Sequence, residues 1–145
     1  MPFKKELIVL VGAVGSGKST YCANSLPDYF RISQDDMGKK GHLLEFQEAL
    51  GEKDLIVVDR MNFNKEQRAR YLVPAKKKGY VTKIIVFDVP FETLLSRLQS
   101  RENHPTLPSS SGEVVFRKVL GFYYASFEEP TPDEADVIER NVGHD

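Results

Sequence analysis

The sequence predicts an α/β fold in which a mostly parallel central sheet is covered by helices on both faces. Short apolar runs rich in β-branched residues alternate with longer segments of helical periodicity, and this alternation is typical of such a three-layer arrangement. The chain has 145 residues, of which 41% are hydrophobic, which suffices for one well-buried core and is short for two typical domains. We therefore predict a single domain over residues 1–145.

Four apolar runs predict strands, at residues 7–11, 29–33, 55–58 and 82–87, and a weaker fifth strand is predicted at 137–138. Helical periodicity predicts helices at 18–26, 42–50, 65–78, 91–100 and 113–127. Residues 103–112 contain two prolines and three consecutive serines, so they have no apolar face to bury, and we predict a mobile lid at about 101–112. The acidic, proline-containing residues 128–134 are predicted to form a solvated tail.

Charge and cysteine content narrow the class of protein. Twenty basic and 21 acidic side chains give a net charge of -1, so any contact with nucleic acid must be local rather than drawn by a global field. The single cysteine, Cys22, cannot form an internal disulfide, which favours a reducing, cytoplasmic setting. No apolar run has the length needed to cross a bilayer, so we expect a soluble protein that does not contact a membrane.

The strongest motif follows the first predicted strand and opens the first predicted helix. It matches the pattern G-x-x-x-x-G-K-[ST] and consists of Gly12, Ala13, Val14, Gly15, Ser16, Gly17, Lys18 and Ser19. Its glycines let backbone N–H groups turn toward phosphate oxygens, Lys18 reaches the β and γ phosphates, and Ser19 offers a hydroxyl to Mg²⁺. The motif predicts a P-loop NTPase fold of the adenylate-kinase-like type that binds a nucleoside triphosphate with Mg²⁺.

Nucleotide binding alone does not identify the reaction, because switches, motors and kinases share this loop. The guanine-reading pattern N-K-x-D begins at Asn64 and fails at Gln67, which argues against a regulatory GTPase. The chain length leaves no room for the additional domains of helicases or motors. A kinase is therefore favoured.

Two acidic positions follow predicted strands, whose carboxyl ends border the ligand crevice in an open parallel sheet. Asp35, with Asp36 beside it, is the candidate base that accepts the proton of an acceptor hydroxyl, although a turn or a helix cap explains this pair equally well. Asp59 ends an apolar run of the Walker B type, where it holds a Mg²⁺-bound water or orients acceptor-binding residues.

Arg97 and Arg101 lie four residues apart on the predicted helix that leads into the lid. An arginine there stabilises the charge on a transferring phosphoryl group, and the alternative is a solvated basic helix end. Both interpretations remain open from the residues alone.

The order and spacing of these residues resemble the kinase domains of 5′-hydroxyl polynucleotide kinases, which occur in phage repair enzymes and in fungal-type tRNA ligases. The phage-like elements are residues 15–20, which end at Thr20, the pair Asp35-Asp36, and residues 86–90. The tRNA-ligase-like elements are residues 59–62 and 101–107.

The resemblance implies roles for individual residues. Lys18 and Ser19 bind phosphate and metal, Asp35 is the general base, Arg101 contacts the donor phosphates with support from Arg97, and Asp59 is the acid at the strand end. Phage enzymes carry an arginine three residues after the base, where this chain has Gly38. Arg60 is a candidate for the missing positive charge, and Asp36, Arg60 and Asn62 are the predicted acceptor-binding residues.

The predicted activity is transfer of the γ-phosphate of ATP or GTP to the 5′-hydroxyl end of RNA or DNA, alone or beside a separately encoded ligase or phosphatase. GTP is included because the tRNA-ligase branch prefers it. Two alternatives remain, namely a kinase for a small molecule or modified nucleoside and a non-catalytic nucleotide-binding module.

Overall fold

The computed structural model describes residues 4–100 and 112–141. Its strands are β1 (Glu6–Val11), β2 (Phe30–Ser33), β3 (Leu55–Asp59), β4 (Val81–Phe87) and β5 (Val137–Asn141). Its helices are α1 (Lys18–Ser25), α2 (Gln34–Met37), α3 (Lys39–Ala49), α4 (Lys65–Lys77), α5 (Phe91–Ser100) and α6 (Gly112–Ser126). The predicted strands and helices are confirmed with small shifts of their ends, and α2 is an addition that the sequence analysis did not predict.

All five strands form one sheet in the order β2-β3-β1-β4-β5, and each neighbouring pair is parallel. Parallel strands end at the same edge of a sheet, so the chain leaves every strand toward one rim. β1 lies between β3 and β4, which places the loop that follows β1 at the middle of this rim. Asp59 pairs in register with Leu10 on one side and with Ser33 on the other.

Both faces of the sheet are covered, as the predicted three-layer fold requires. Side chains alternate between the two faces of a strand. Leu7 and Val9 of β1 join the core that contains α3 and α4 residues, whereas Ile8 and Leu10 join the core that contains Cys22 of α1. All six residues of β1 are therefore buried.

The third core cluster joins α5 and α6 to the loop after β1. Leu94 and Leu98 of α5 pack with Phe116 and Leu120 of α6, and Ala13 belongs to the same cluster. The packing fixes α5 against the predicted phosphate-binding loop.

The prediction that residues 128–134 form a solvated tail is wrong. Arg68 of α4, which is fully buried, donates from Nη2 to the Glu128 carbonyl oxygen at 2.9 Å and from Nε to the Glu134 carboxylate at 2.8 Å. Ala135 is buried as well. Charged side chains are rarely buried without a partner, so the sequence of an acidic segment predicts that it faces solvent. Here the partner of Glu134 is Arg68, which lies 66 positions earlier in the chain. The segment leads into β5, which lies at one edge of the sheet. The weakly predicted fifth strand is therefore confirmed.

No helix within residues 4–100 and 112–141 has both the length and the apolar character that crossing a bilayer requires. The predicted lid lies outside the described residues except for Gly112, which begins α6. The lid and the single-domain organisation therefore stay predictions.

Candidate active site

The glycine-rich loop connects β1 to α1 and has a tightly curled backbone. Gly15 and Gly17 have φ values of 82° and 97°, a left-handed conformation that favours glycine. A Cβ atom at Gly12 would lie 2.6 Å from Ser16 Oγ and 3.0 Å from Phe87 Cβ. Among the described residues no side chain caps the start of α1. Its first N–H groups are therefore available to an anion, as a phosphate-binding loop requires.

Lys18 lies inside this loop. Its side chain is largely buried, and Nζ donates to the carbonyl oxygens of Gly12 at 2.7 Å and Ala13 at 2.9 Å. The ammonium group is thus held at the loop itself, where a triphosphate would receive its charge.

Ser19 and Asp59 meet although 40 positions separate them in the chain. Ser19 Oγ donates to Asp59 Oδ2 at 2.9 Å, and Asp59 is 7% exposed. A hydroxyl and a carboxylate are the oxygen ligands that Mg²⁺ prefers, and this ion takes few ligands from the protein because it keeps waters and phosphate oxygens. The serine–aspartate pair therefore fits Mg²⁺ by its own oxygen atoms. The described residues contain no group of three or more His, Cys, Asp or Glu side chains that could hold a metal.

Arg31 of β2 joins this pair, and the sequence analysis missed it. Its guanidinium group donates to Asp59 Oδ2 from Nε at 2.8 Å and from Nη2 at 2.7 Å, and Nη2 also lies 3.2 Å from Ser19 Oγ. β2 alternates between the two faces of the sheet, with Ile32 in the core on the α3 and α4 face. A charged residue on the opposite face of a short apolar strand was the available signal. Only the register with β3, which sets Arg31 opposite Val57, brings its side chain within reach of Asp59 two residues further along that strand.

The carboxyl-terminal half of α5 contacts the loop directly. Arg97 Nη1 donates to the Gly15 carbonyl oxygen at 3.2 Å. The predicted arginine at this helix therefore does reach the phosphate-binding loop. Arg101 lies outside the described residues, so its predicted role stays a prediction.

The predicted base follows β2 immediately. Ser33 pairs with Asp59 across the strands, and the next residue begins α2, the helix that contains Asp35 and Asp36. The backbone of this helix thus lies at the rim of the sheet beside Asp59. The two aspartate side chains lie outside the described part of the structure, and their predicted roles stay predictions.

Asn62 lies in the connection after β3 and is 1% exposed. Its Nδ2 donates to the Leu10 carbonyl oxygen at 2.8 Å, so the side chain fixes this connection to β1. Its Oδ1 has no hydrogen-bond partner among the described residues. An acceptor-binding role of Asn62 stays a prediction, and its burial indicates a structural role beside it.

Arg60 belongs to a chain of hydrogen bonds that the sequence analysis did not predict. Arg60 Nη1 donates to Tyr71 Oη at 2.6 Å, and Tyr71 Oη lies 2.8 Å from His42 Nε2. His42 Nδ1 lies 3.1 Å from the carbonyl oxygen of Gly38, the residue that directly follows α2. The chain therefore connects the end of β3 to the end of the helix that contains Asp35.

The protonation state of His42 determines which group donates and which accepts in each of these hydrogen bonds. Burial lowers the pKa of His42, and the nearby positive charge of Arg60 lowers it further, against an opposing contribution from the hydrogen bond to Gly38. A neutral ring that donates from Nδ1 to the Gly38 carbonyl leaves Nε2 as an acceptor for the Tyr71 hydroxyl proton. Tyr71 Oη then accepts from Arg60, so each donor meets one acceptor.

Cys22 lies on α1, one turn after Lys18, and is a buried free cysteine. Burial raises the pKa of its thiol to about 12, and the charge of Asp59 raises it further. The protonated thiol packs in the core with Ile8, Leu10 and Val57.

Comparisons with known proteins show which proteins the chain is similar to in sequence and fold. A putative bifunctional polynucleotide phosphatase/kinase of Acanthamoeba polyphaga mimivirus is 37% identical over 138 residues, a match that covers 88% of this chain and 33% of the viral protein. Among solved structures, a fungal RNA kinase superposes with a TM-score of 0.66 at 20% identity and covers 99% of this chain and 78% of its own. A sugar kinase from Janibacter sp. HTCC2649 superposes with a TM-score of 0.64 at 16% identity and covers 94% of this chain and 85% of its own.

The two structural similarities show the fold, whereas the viral protein also shares sequence along most of the chain. The chain spans 33% or less of the length of the curated relatives it matches. The predicted resemblance to P-loop polynucleotide kinase domains is confirmed by these relatives. Because the model of the AAA domain family matches residues 40–130, more than half of the sequence, the chain belongs to that family.

Proposed function

We propose that the chain is a kinase that transfers the γ-phosphoryl group of ATP or GTP to the 5′-hydroxyl end of RNA or DNA. The observation that carries the kinase part is the contact of Ser19 Oγ with Asp59 Oδ2 at 2.9 Å beside the curled loop that holds Lys18. A hydroxyl and a carboxylate in contact, with an ammonium group held at the adjoining loop, suit a magnesium-bound triphosphate.

The transfer step assigns one task to each group. The acceptor oxygen attacks the γ-phosphorus, the bond from that phosphorus to the β–γ bridging oxygen breaks, and the nucleoside diphosphate leaves. The Asp35 carboxylate takes the proton of the acceptor hydroxyl. Lys18, Arg97 and Arg101 stabilise the charge on the transferring group. Ser19 and Asp59 would hold Mg²⁺, which would supply positive charge to the β and γ phosphates.

The acceptor class rests on sequence similarity. The mimivirus protein, named as a polynucleotide phosphatase/kinase, matches 88% of this chain, and a baculovirus protein named as a polynucleotide kinase/RNA ligase is 52% identical over 40 residues. These names also support a phosphatase or a ligase as the partner activity. The rival acceptor is a small alcohol, because a sugar kinase and a gluconokinase share the fold and the net charge is only -1.

The test measures which acceptor becomes labelled. The protein is incubated with Mg²⁺ and γ-labelled ATP or GTP, and with 5′-hydroxyl RNA, 5′-hydroxyl DNA, the same oligonucleotides carrying a 5′-phosphate, or gluconate. We expect label on the 5′-hydroxyl oligonucleotides and none on the 5′-phosphorylated ones. Labelling of gluconate without any labelled oligonucleotide would reject the polynucleotide acceptor.

Substitutions test the assigned roles in the same assay. Lys18→Ala is expected to abolish transfer together with nucleotide binding. Asp35→Asn is expected to lower kcat by about 100-fold or more while nucleotide binding persists. Asp28→Asn is the matched control, because Asp28 is an exposed acid at the opposite end of β2. Equal activity of the Asp35 and Asp28 variants would show that Asp35 is not the base.

A further inference from the structure

Arg31 occupies the position that a metal ion needs between Asp59 and Ser19. Its guanidinium contacts Asp59 Oδ2 at 2.7 Å and 2.8 Å and lies 3.2 Å from Ser19 Oγ, so one cation already bridges the two oxygen ligands. We propose that Arg31 competes with free divalent cations for Asp59, so that the metal enters only together with a nucleotide. This inference rests on the proposed Ser19–Asp59 metal site.

The charges of the site support the competition. Asp59 is the carboxylate of this pair, and the Arg31 guanidinium neutralises it. A divalent ion that binds there must displace Arg31 or lie beside its positive charge, and both options weaken binding in this largely buried position. Lys18 at the adjacent loop adds a further positive charge.

A bound triphosphate reverses this balance. Its phosphates bring negative charge to the loop and supply oxygen ligands, so the ion no longer depends on Asp59 alone. The released guanidinium lies on β2, two residues before the strand meets α2. Its contact with Asp59 would then be replaced by the metal ion.

The test measures Mn²⁺ binding to the full chain without nucleotide, from the loss of the free Mn²⁺ signal in electron paramagnetic resonance. We expect weak binding by the unchanged protein and binding about tenfold tighter or more for Arg31→Gln. Adding Asp59→Asn to Arg31→Gln should abolish the gain. Arg140→Gln is the matched control, because it removes another arginine–aspartate pair, in which Arg140 Nη1 lies 2.6 Å from Asp88 Oδ2. This substitution should leave Mn²⁺ binding unchanged.

A folded Arg31→Gln protein that binds Mn²⁺ no tighter than the unchanged protein would overturn the competition. If this variant does not fold, a nuclear magnetic resonance measurement on the unchanged protein tests the proposal. The Nε–H resonance of Arg31 should move on addition of ATP with Mg²⁺ and stay in place with Mg²⁺ alone, and movement with Mg²⁺ alone would contradict the proposal. Failure of the metal site itself is separate, because then Ser19→Ala and Asp59→Asn would leave Mn²⁺–ATP binding unchanged.

Discussion

Gly12 marks the point where β1 turns into the phosphate-binding loop, and its environment leaves no room for a side chain. Replacing it with alanine sets a Cβ atom 2.6 Å from Ser16 Oγ and 3.0 Å from Phe87 Cβ. We expect Gly12→Ala to cost about 1–3 kcal/mol of unfolding free energy and to weaken nucleotide binding, because the loop must shift. Urea denaturation and titration calorimetry with ATP measure the two effects.

Gly121→Ala is the control for this substitution. Gly121 lies within α6, and a Cβ atom there has no neighbour within 4 Å among the described residues. Alanine should stabilise the helix by about 0.5–1 kcal/mol and leave ATP binding unchanged. If both variants bind ATP normally, crowding at Gly12 does not shape the loop.

Single residues were predictable where the local sequence determines their task. The phosphate-binding motif is contiguous, so its residues could be named in advance. The task of Asn64 was not predictable in this way. Its side chain accepts from the Gln67 N–H at 2.8 Å, and Gln67 Oε1 accepts from the Phe63 N–H at 3.0 Å. The partial match to a guanine-reading pattern is thus the cap of α4. Arg31 could not be named, because the alignment of β2 with β3 is not written in either segment.

At the scale of elements, the contact between α3 and α4 should make folding stability depend on pH. His42 is 1% exposed, and burial lowers its pKa below the ordinary value. The unfolded chain therefore takes up a proton more readily than the folded protein once the pH falls to the ordinary histidine range. We expect stability to be fully present above about pH 7 and to decrease as the pH falls below about 6.5.

Denaturation at pH 7.5 and pH 5.5 measures this dependence. His42→Gln should show a smaller loss between the two values, because glutamine does not titrate. Tyr71→Phe removes the hydroxyl that His42 contacts at 2.8 Å and keeps the titrating ring, so its pH dependence should persist. An unchanged loss in His42→Gln would assign the effect to other groups.

Elements were predictable when their apolar pattern was long enough. β1, β3 and β4 are buried runs rich in β-branched residues, and their hydrophobicity alone identifies them. α2 has four residues and no helical period, so the sequence gives no sign of it. The helix ends at Gly38, whose φ of 80° turns the chain into α3.

At the scale of the whole molecule, Arg68 joins the central helix α4 to the chain between α6 and β5. It is 0% exposed and also donates from Nη1 to the Asn62 carbonyl oxygen at 3.0 Å. Arg68→Met leaves the Glu134 carboxylate without its cation, and we expect a loss of about 3–5 kcal/mol of unfolding free energy. Guanidinium denaturation followed by circular dichroism measures this loss.

Arg70→Met is the matched control, because Arg70 lies on the same helix and is exposed. Its substitution should change stability by less than about 0.5 kcal/mol. Similar losses in both variants would show that the contacts of Arg68 with residues 62, 128 and 134 contribute little.

The candidate site as a whole was predictable only in part. Ser19 and Asp59 were both named, since each belongs to a motif with a known neighbourhood at the strand ends. The hydrogen bonds of Tyr71 with Arg60 and His42 join α4 to the residue after β3 and to α3. No local sequence pattern predicts contacts between such distant residues. Long-range pairing of polar side chains depends on how elements pack, which the hydrophobic pattern does not determine.

The position of β1 in the centre of the sheet has a consequence for synthesis of the protein. Both strands that flank it are translated later: the edge that pairs with β3 stays open until residue 59 has left the ribosome, and the edge that pairs with β4 until residue 87 has. During that interval a strand with six residues destined for the interior is exposed on a nascent chain. Such a segment is prone to pair with other chains until its own neighbours are made.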